Sequence, residues 1–341
     1  MITQVLSRLN MELLTFNTAV VLSTWVSALA GALITFLVRR DSAHPRTVRG
    51  FLRFCLPSTI WTHASPRMDV LFFILQRVVR VVLVLPFLAT NVLVTLGTYR
   101  VLTYLFGVRA QNGESMGLWI FMFVVAIIVT DFATFYTHYL DHKFKLLWEF
   151  HKSHHAAEFL IPLTNRRFHP VQEIFDSNGV ALCVGVTMGC LSYMLSLAVY
   201  DYSVIGVDVY FVADFLSFYH LRHSHIDMSY GPRFERWFLS PAQHQLHHSQ
   251  EVVHWDKNFG LFLSVWDRMF GTLILAERFG TYRMGLPASS DNKFHNVFDL
   301  YLTPVRNVAR MLWGAGGRLS GSATAIELPG SVGEQGSGIG A

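Results

Sequence analysis

Long apolar segments alternate with polar connections along the first two thirds of the chain. About 20 apolar residues suffice to cross the hydrocarbon core of a bilayer, and several segments approach that length. The apolar segments are 17–38, 81–99, 118–136, 179–200 and 203–219. The first carries no charge and is too long for the apolar core of a signal peptide. The pattern predicts an all-α fold, a polytopic bundle of membrane helices.

The charges of the connections predict how these helices are oriented. Arginine and lysine concentrate in connections 39–77 and 137–178, whereas 100–117 holds two arginines and 201–202 holds no basic residue. Because cytoplasmic loops carry the excess of basic residues, the first two connections are predicted to be cytoplasmic. Alternation through five spans returns the chain after residue 219 to the same side. Every histidine cluster therefore falls on the predicted cytoplasmic face, in a helical cap.

Composition agrees with a membrane protein. Of the 341 residues, 52% are hydrophobic and 15% are charged, whereas soluble domains carry about 25% charged residues. The net charge of +4 does not indicate nucleic acid, since basic cytoplasmic loops give the same balance. The three cysteines have no paired spacing that predicts a disulfide framework or a cysteine-based zinc site.

The chain divides into three predicted regions. Residues 1–60 form a membrane helix with a basic loop, and residues 61–280 form the membrane catalytic domain. The last region, 281–341, is predicted to be a largely disordered tail, because glycine, serine and alanine dominate after Gly314.

The histidines, 16 in all, cluster in repeated spacings. His138 and His142 continue the third apolar segment as H-x-x-x-H, and residues four apart share one helical face. Two copies of H-x-x-H-H follow. They comprise His151, His154 and His155, and then His244, His247 and His248. Adjacent histidines diverge by about 100° on a helix, which suits the bridging of two metal ions better than chelation of one.

A fourth cluster lies between the two copies. It contains His220, His223 and His225, of which His223 is the first choice as a metal ligand. His220 lies one turn earlier on the same face if the fifth helix continues to it. His225 is either a ligand or a hydrogen-bond donor near the site.

These spacings predict a metal centre. Neutral imidazole binds iron, copper, zinc and nickel. Structural zinc sites use four ligands and zinc has no redox chemistry, so this many histidines better fit a pair of iron ions with open positions for O₂. Two alternatives stay open, a zinc-dependent membrane hydrolase and a metal transporter. A transporter would need polar ligands along the spans, which are mostly apolar.

Acidic residues near the histidines are candidates for orienting the imidazoles. Asp131 lies seven residues before His138, two turns back on the same helical face. It is the first candidate for this role. The weaker candidates are Asp141, Glu149, Asp214 and Asp267.

The order and flanks of these motifs resemble the sterol desaturase and fatty acid hydroxylase superfamily of membrane di-iron enzymes. The similar stretches are Leu147 to His155, Phe168-His169-Pro170, Leu239 to Ser249, Asp256 to Gly260 and Trp266 to Thr272. The resemblance implies these metal ligands: His138, His142, His151, His154, His155, His223, His244, His247 and His248. His220 is added on spacing alone.

The resemblance also implies an oxidoreductase that uses two iron ions and O₂ to hydroxylate or desaturate a C–H bond of a sterol, fatty acyl chain or related lipid. No G-x-G-x-x-G motif stands between a strand and a helix. Electrons are therefore expected from a partner protein or a soluble reductant. In the ether-lipid-cleaving branch of the superfamily that reductant is a pterin.

Overall fold

A computed structural model describes residues 18–39, 45–110, 115–197, 215, 217–276, 282–287 and 294–316. Within these ranges every regular element is helical, apart from isolated bridges between Phe238 and Leu263 and between Ser249 and Met284. The all-α expectation is confirmed. The α-helices are α1 (Thr18–Val38), α2 (Val48–Cys55), α3 (Thr59–Thr62), α4 (Ala64–Val79), α5 (Asn91–Phe106), α6 (Met116–Lys143), α7 (Lys145–His155), α8 (Pro170–Met194), α9 (Pro241–His247), α10 (Val265–Phe270) and α11 (Val297–Gly316).

Among the described residues, three helical stretches are long and apolar enough to cross a membrane. They are Ala64–Phe106, Met116–Lys143 and Pro170–Met194, and Trp25–Val38 of α1 forms a shorter, predominantly apolar stretch. These helices indicate a membrane protein, and they contain most of the first four predicted segments. The fifth predicted segment, 203–219, lies almost entirely outside the described residues.

The second predicted segment, 81–99, is not one continuous α-helix. A π-helical turn (Arg80–Val84) and a 3-10 turn (Leu85–Phe87) follow α4, and regular helix resumes at Asn91. Pro86 lies in the 3-10 turn and has no backbone N–H to donate to a preceding turn, which explains the interruption. The Thr90 hydroxyl then caps α5 by accepting from Leu93 N.

Helices α5, α6 and α8 pack together as the membrane bundle. Ala89 N donates to Asn178 Oδ1 (2.7 Å) near one end, and the Tyr193 hydroxyl donates to Gly107 O (3.0 Å) near the other, so α5 and α8 run in the same direction. Small residues allow the contact, since a Cβ atom added to Gly189 would lie 2.6 Å from Thr98 Cβ. Helix α6 runs the opposite way.

One end of this bundle carries the cap, the part of the chain that holds the histidine clusters. The C-terminal turns of α6 and the N-terminal turn of α8 lie there, where Arg80 Nε donates to Glu173 Oε1 (2.6 Å). Arg39, which follows α1, pairs with Asp227 in the cap at 2.8 Å. Connections 39–77 and 137–178 therefore meet at the same end as the histidine clusters.

The C-terminal region contains a helix. Residues 281–341 were expected to be largely disordered, and within the described part of that region α11 occupies Val297–Gly316. Its buried Val297 and Leu300 pack with Phe72 of α4, and the Tyr301 ring stacks on Phe72 at 4.7 Å. Apolar residues at helical spacing thus outweigh the glycine-rich composition of the region. Residues 317–341 lie outside the described residues.

Candidate metal centre

Nine imidazoles converge in the cap and form two groups. The five-histidine group contains His138, His142, His151, His155 and His247. The four-histidine group contains His154, His223, His244 and His248. Within each group, the potential ligand atoms all lie within 4.8 Å of one another.

The Nε2 atoms of the four-histidine group lie at the spacing of ligands around one ion. His223 Nε2 lies 3.0 Å from His154 Nε2 and 3.1 Å from the Nε2 atoms of both His244 and His248. Two nitrogens bound at right angles to one ion, each at about 2.1 Å, are about 3.0 Å apart. A neutral imidazole donates through only one nitrogen, so these four atoms cannot all be satisfied by bonding to one another.

The five-histidine group also contains closely spaced Nε2 atoms that lack hydrogen-bond partners. His151 Nε2 and His155 Nε2 lie 3.1 Å apart. The Nε2 atoms of His138, His142 and His247 are buried without a hydrogen-bond partner in the described structure. A buried nitrogen with an unused lone pair is costly unless something binds it. Both groups therefore fit metal ions.

The two groups touch each other. The rings of His155 and His248 stack at 4.5 Å, and those of His247 and His248 lie 5.4 Å apart at 87°. Each H-x-x-H-H motif contributes to both groups, as the divergence of adjacent helical positions predicted. His154 and His155 point into different groups, with ring planes at 87°.

Contacts outside the site hold the two helices that carry the H-x-x-H-H motifs. Pro241 begins α9, and Ser240 and Gln243 form a reciprocal capping box at its N-terminus. Helix α7 is fixed by the buried Ser153 hydroxyl, which donates to Leu300 O of α11 at 2.7 Å. The backbone that carries the imidazoles is therefore held from outside the site.

Residues 256–260, here called the outer segment, hold three rings of the five-histidine group. His138 Nδ1 donates to Phe259 O (3.0 Å) and His247 Nδ1 donates to Lys257 O (2.7 Å). His142 Nδ1 lies 3.2 Å from Asp256 Oδ1. Occupation of Nδ1 leaves the Nε2 lone pair directed into the group, which fixes both tautomer and ring orientation.

The outer segment has an unusual backbone. Asp256 and Asn258 have φ angles of 54° and 58°, in the left-handed region that aspartate and asparagine tolerate best among residues other than glycine. The buried Asp267 carboxylate accepts from Phe259 N and Gly260 N, both at 2.9 Å. Asp267 therefore positions the carbonyls that hold the imidazoles.

A different partner holds His151. Its Nδ1 lies 2.7 Å from the side-chain amide of Gln172 and 3.5 Å from Asp141 Oδ2. Asp141 was among the weaker candidates for this role. The main candidate, Asp131, has no imidazole partner among the described residues; its carboxylate accepts from Phe262 N (2.6 Å) and from the Trp266 indole (2.7 Å).

The four-histidine group lacks this outer support. The Nδ1 atoms of His154, His223, His244 and His248 are buried, and none has a hydrogen-bond partner in the described part of the chain. The Phe168 ring stacks on His154 at 5.1 Å and limits its rotation by contact alone. The two groups thus differ in how rigidly their rings are held.

Burial keeps these imidazoles neutral. Loss of hydration lowers the pKa of seven of the clustered imidazoles well below the ordinary value, and repulsion from neighbouring cationic groups adds to this. The imidazoles concerned are His151, His154, His155, His223, His244, His247 and His248. Neutral imidazole is the form that binds metal, so the site is prepared for ligation near pH 7.

Two histidines of the fourth cluster lie outside both groups. His220 is partly exposed, and its ring lies 5.8 Å from that of Tyr219. The argument from helical spacing fails because residues Tyr219–Leu221 form a 3-10 turn after Phe218, whose φ is 48°. His225 Nε2 donates to Phe54 O at 2.8 Å, which ties the cap to α2.

Sequence reasoning missed several functional groups. Gln172 had no recognisable spacing relative to the histidine motifs, and backbone carbonyls of Lys257 and Phe259 carry no side-chain signature. The similarity of Asp256 to Gly260 to a family signature was the one signal that marked the outer segment.

The profile of the fatty acid hydroxylase family matches residues 123–272, which include all nine clustered histidines. This match supports a relationship to the sterol desaturase and fatty acid hydroxylase superfamily. Ornithine lipid hydroxylase OlsE from Rhizobium tropici is 28% identical over 153 residues, covering 45% of this chain and 41% of that protein.

Other relatives match about half of the chain. Human alkylglycerol monooxygenase (Homo sapiens) is 23% identical over 186 residues, which are 52% of this chain and 37% of that protein. Fatty acid hydroxylase vlmA from Lecanicillium sp is 25% identical over 178 residues, 50% of this chain and 46% of that protein. The chain therefore aligns with less than half the length of each relative. No solved structure matches it significantly.

Proposed function

We propose that this protein is a membrane-bound oxidoreductase that uses two iron ions and O₂ to hydroxylate a C–H bond of a lipid. The observation that carries the proposal is the pair of adjacent histidine groups at one end of an apolar helical bundle.

The donor set favours iron over zinc. The nine imidazoles together exceed the four ligands of a structural zinc site, and an iron ion held by four of them would have positions left for O₂. Bound iron would supply the activation of O₂ that an unactivated C–H bond requires. His138, His142, His151, His155 and His247 would hold one ion, and His154, His223, His244 and His248 the other.

The protein's own residues would orient and shield these ions. The outer segment fixes His138, His142 and His247 through their Nδ1 atoms. Gln172 does the same for His151. Burial of the rings excludes water, which would protect a reactive oxidant from side reactions.

The nature of the substrate is inferred from the relatives and from the position of the site. The relatives are named for ornithine lipid, alkylglycerol and fatty acid substrates, and all are hydroxylases or monooxygenases. Because α6 carries His138 and His142 at the end of a candidate span, an acyl chain could reach the site from the bilayer. Because these relatives are named as hydroxylases or monooxygenases, we prefer hydroxylation to desaturation.

The cap is proposed to face the cytoplasm, where basic connections concentrate. An external donor would deliver electrons there. Trp148 offers an entry route, because its partly exposed ring lies 4.7 Å from His142 and 5.3 Å from His155. The exposed Lys143 and Lys145 nearby would attract an acidic donor.

Lipid analysis with isotopically heavy O₂ tests this proposal. Membranes from cells that express the chain should yield a lipid that has gained one oxygen atom, and that atom should carry the label. A His154→Ala variant that still inserts in the membrane should yield none. Oxygen derived from water, or release of a cleaved headgroup without oxidation, would instead support the zinc-dependent hydrolase.

A further inference from the structure

The C-terminal helix α11 has one face built into the cap. Val297, Leu300 and Pro304 are buried, and the Tyr301 hydroxyl donates to Gln76 Oε1 of α4 at 2.9 Å. Asn307 Nδ2 donates to Glu149 Oε2 of α7 at 2.8 Å. This face fixes the rotation of α11 about its axis.

A second face of α11 is apolar and exposed. Phe298 is 63% exposed, Leu312 61% and Trp313 79%, and Leu302 and Val305 are also exposed. At about 100° per residue, these positions fall within one stripe about 100° wide, the width of the apolar face of an amphipathic helix. We call these five residues the outer stripe. A soluble surface rarely leaves such a continuous apolar patch uncovered.

Basic residues flank the outer stripe on one side. Arg306 and Arg310 are exposed and project about 80–120° from Phe298 around the helix. The sole acidic residue of α11, Asp299, accepts from the backbone of His295 and Asn296 at the N-terminus. Exposed apolar residues, flanking arginines and a terminal tryptophan together characterise helices that lie in a bilayer interface.

The surroundings of α11 identify what covers the stripe. Helix α11 packs on α4, which continues into the apolar run Ala64–Phe106. The outer side of α4 is also apolar and exposed, at Val70, Leu71, Ile74 and Val78. Residues 317–341 are rich in glycine and serine and poor in large apolar side chains, so they supply little to cover the stripe.

We propose that α11 lies in the bilayer interface beside the membrane bundle, with the outer stripe in the acyl region and Arg306 and Arg310 at anionic headgroups. The helix lies beyond residues 123–272, the part that matches the family. The inference does not depend on the metal centre. It gives the cap a lipid contact of its own, attached directly to the helix that carries His151, His154 and His155.

Spin labels on the full chain test this placement. Single cysteines replace Leu302, Val305 or Leu312 after Cys55, Cys183 and Cys190 are changed to serine, and the protein is placed in nanodiscs of phosphatidylcholine and phosphatidylglycerol. Collision rates with O₂, which concentrates in lipid, are compared with those of a water-soluble nickel chelate. Val124→Cys on α6 gives the lipid reference, and Glu251→Cys gives the water reference; both native residues are exposed.

The three stripe labels should resemble Val124→Cys, with high O₂ and low nickel collision rates. An Arg306→Gln, Arg310→Gln pair should abolish any increase in label depth produced by added phosphatidylglycerol. Nickel accessibility equal to that of Glu251→Cys would overturn the proposal. So would low accessibility to both reagents, which would mean that protein covers the stripe.

Discussion

The outer segment makes a sharp prediction for Asp267→Asn. The Asp267 carboxylate is fully buried and accepts from Phe259 N, Gly260 N and the Thr272 hydroxyl at 2.9, 2.9 and 2.6 Å. Asparagine has the same shape but only one acceptor oxygen. In either orientation its amide group faces a backbone N–H, of Phe259 or of Gly260.

The cost can be worked from these contacts. A hydrogen bond to a charged group contributes about 1.5–3 kcal/mol, and a buried donor left without an acceptor costs about 1–3 kcal/mol. Displacement of the outer segment moves the carbonyls that hold His138 and His247. Loss of such partners of metal-binding histidines typically reduces metal affinity by about 10- to 100-fold. Asp267→Asn should reduce the metal affinity of the site by about 10- to 100-fold.

Metal retention against a competing chelator measures this effect, with the protein in nanodiscs near neutral pH. Asp131→Asn is the matched control, because Asp131 is also a buried carboxylate that accepts from two backbone N–H groups, those of Phe262 and Leu263. Both variants should unfold at lower temperature. Asp267→Asn alone should release metal markedly faster. Equal metal retention by the two variants would refute a positioning role for Asp267.

Four further outcomes are expected. His154→Ala should abolish lipid oxidation and lower metal content, measured by elemental analysis, while the protein remains in the membrane. Gly189→Ala should lower the unfolding temperature, because the added methyl group forces Thr98 away and such overpacking costs about 1–3 kcal/mol. Asp69→Asn should lower the unfolding temperature by more than Gly189→Ala does, because a buried Arg167 left without its partner costs about 3–5 kcal/mol. In metal-free protein the unfolding temperature should fall as pH drops below about 6.5, since the unfolded chain binds protons that the buried imidazoles exclude; a flat profile would contradict their burial.

The spacing of histidines predicted most of the site. His138 with His142, and the two H-x-x-H-H motifs, lie on or directly at the end of α-helices, where spacing in sequence fixes direction in space. His220 failed this reasoning because its segment is a 3-10 turn rather than an α-helix. Helical periodicity applies only where the helix continues.

The partners of the imidazoles could not be predicted in the same way. Asp131 shares a helical face with His138, but its carboxylate holds Phe262 N and the Trp266 indole instead. The backbone carbonyl of Phe259 takes the expected role at His138. Contacts between residues more than a hundred positions apart determine which group accepts from His138. A backbone carbonyl cannot be recognised in the sequence, because every residue has one.

The sequence predicted the helices that coincide with long, uninterrupted apolar segments. Helices α1, α6 and α8 follow directly from their apolar segments, whereas Pro86 and the turns around it divide the second one. Helix α11 was missed because composition averaged over 281–341 conceals its apolar periodicity. The position of α11 depends on its contacts with α4 and α7, which cannot be predicted from the local sequence pattern.

The metal content of protein loaded with iron under anaerobic conditions tests the central claim most directly. Elemental analysis should give near two irons per chain, and X-ray absorption at the iron edge should give nitrogen ligands at about 2.0–2.2 Å, as expected for imidazole ligation. A single tightly bound zinc ion that iron cannot replace, or no bound metal in folded protein, would contradict the account.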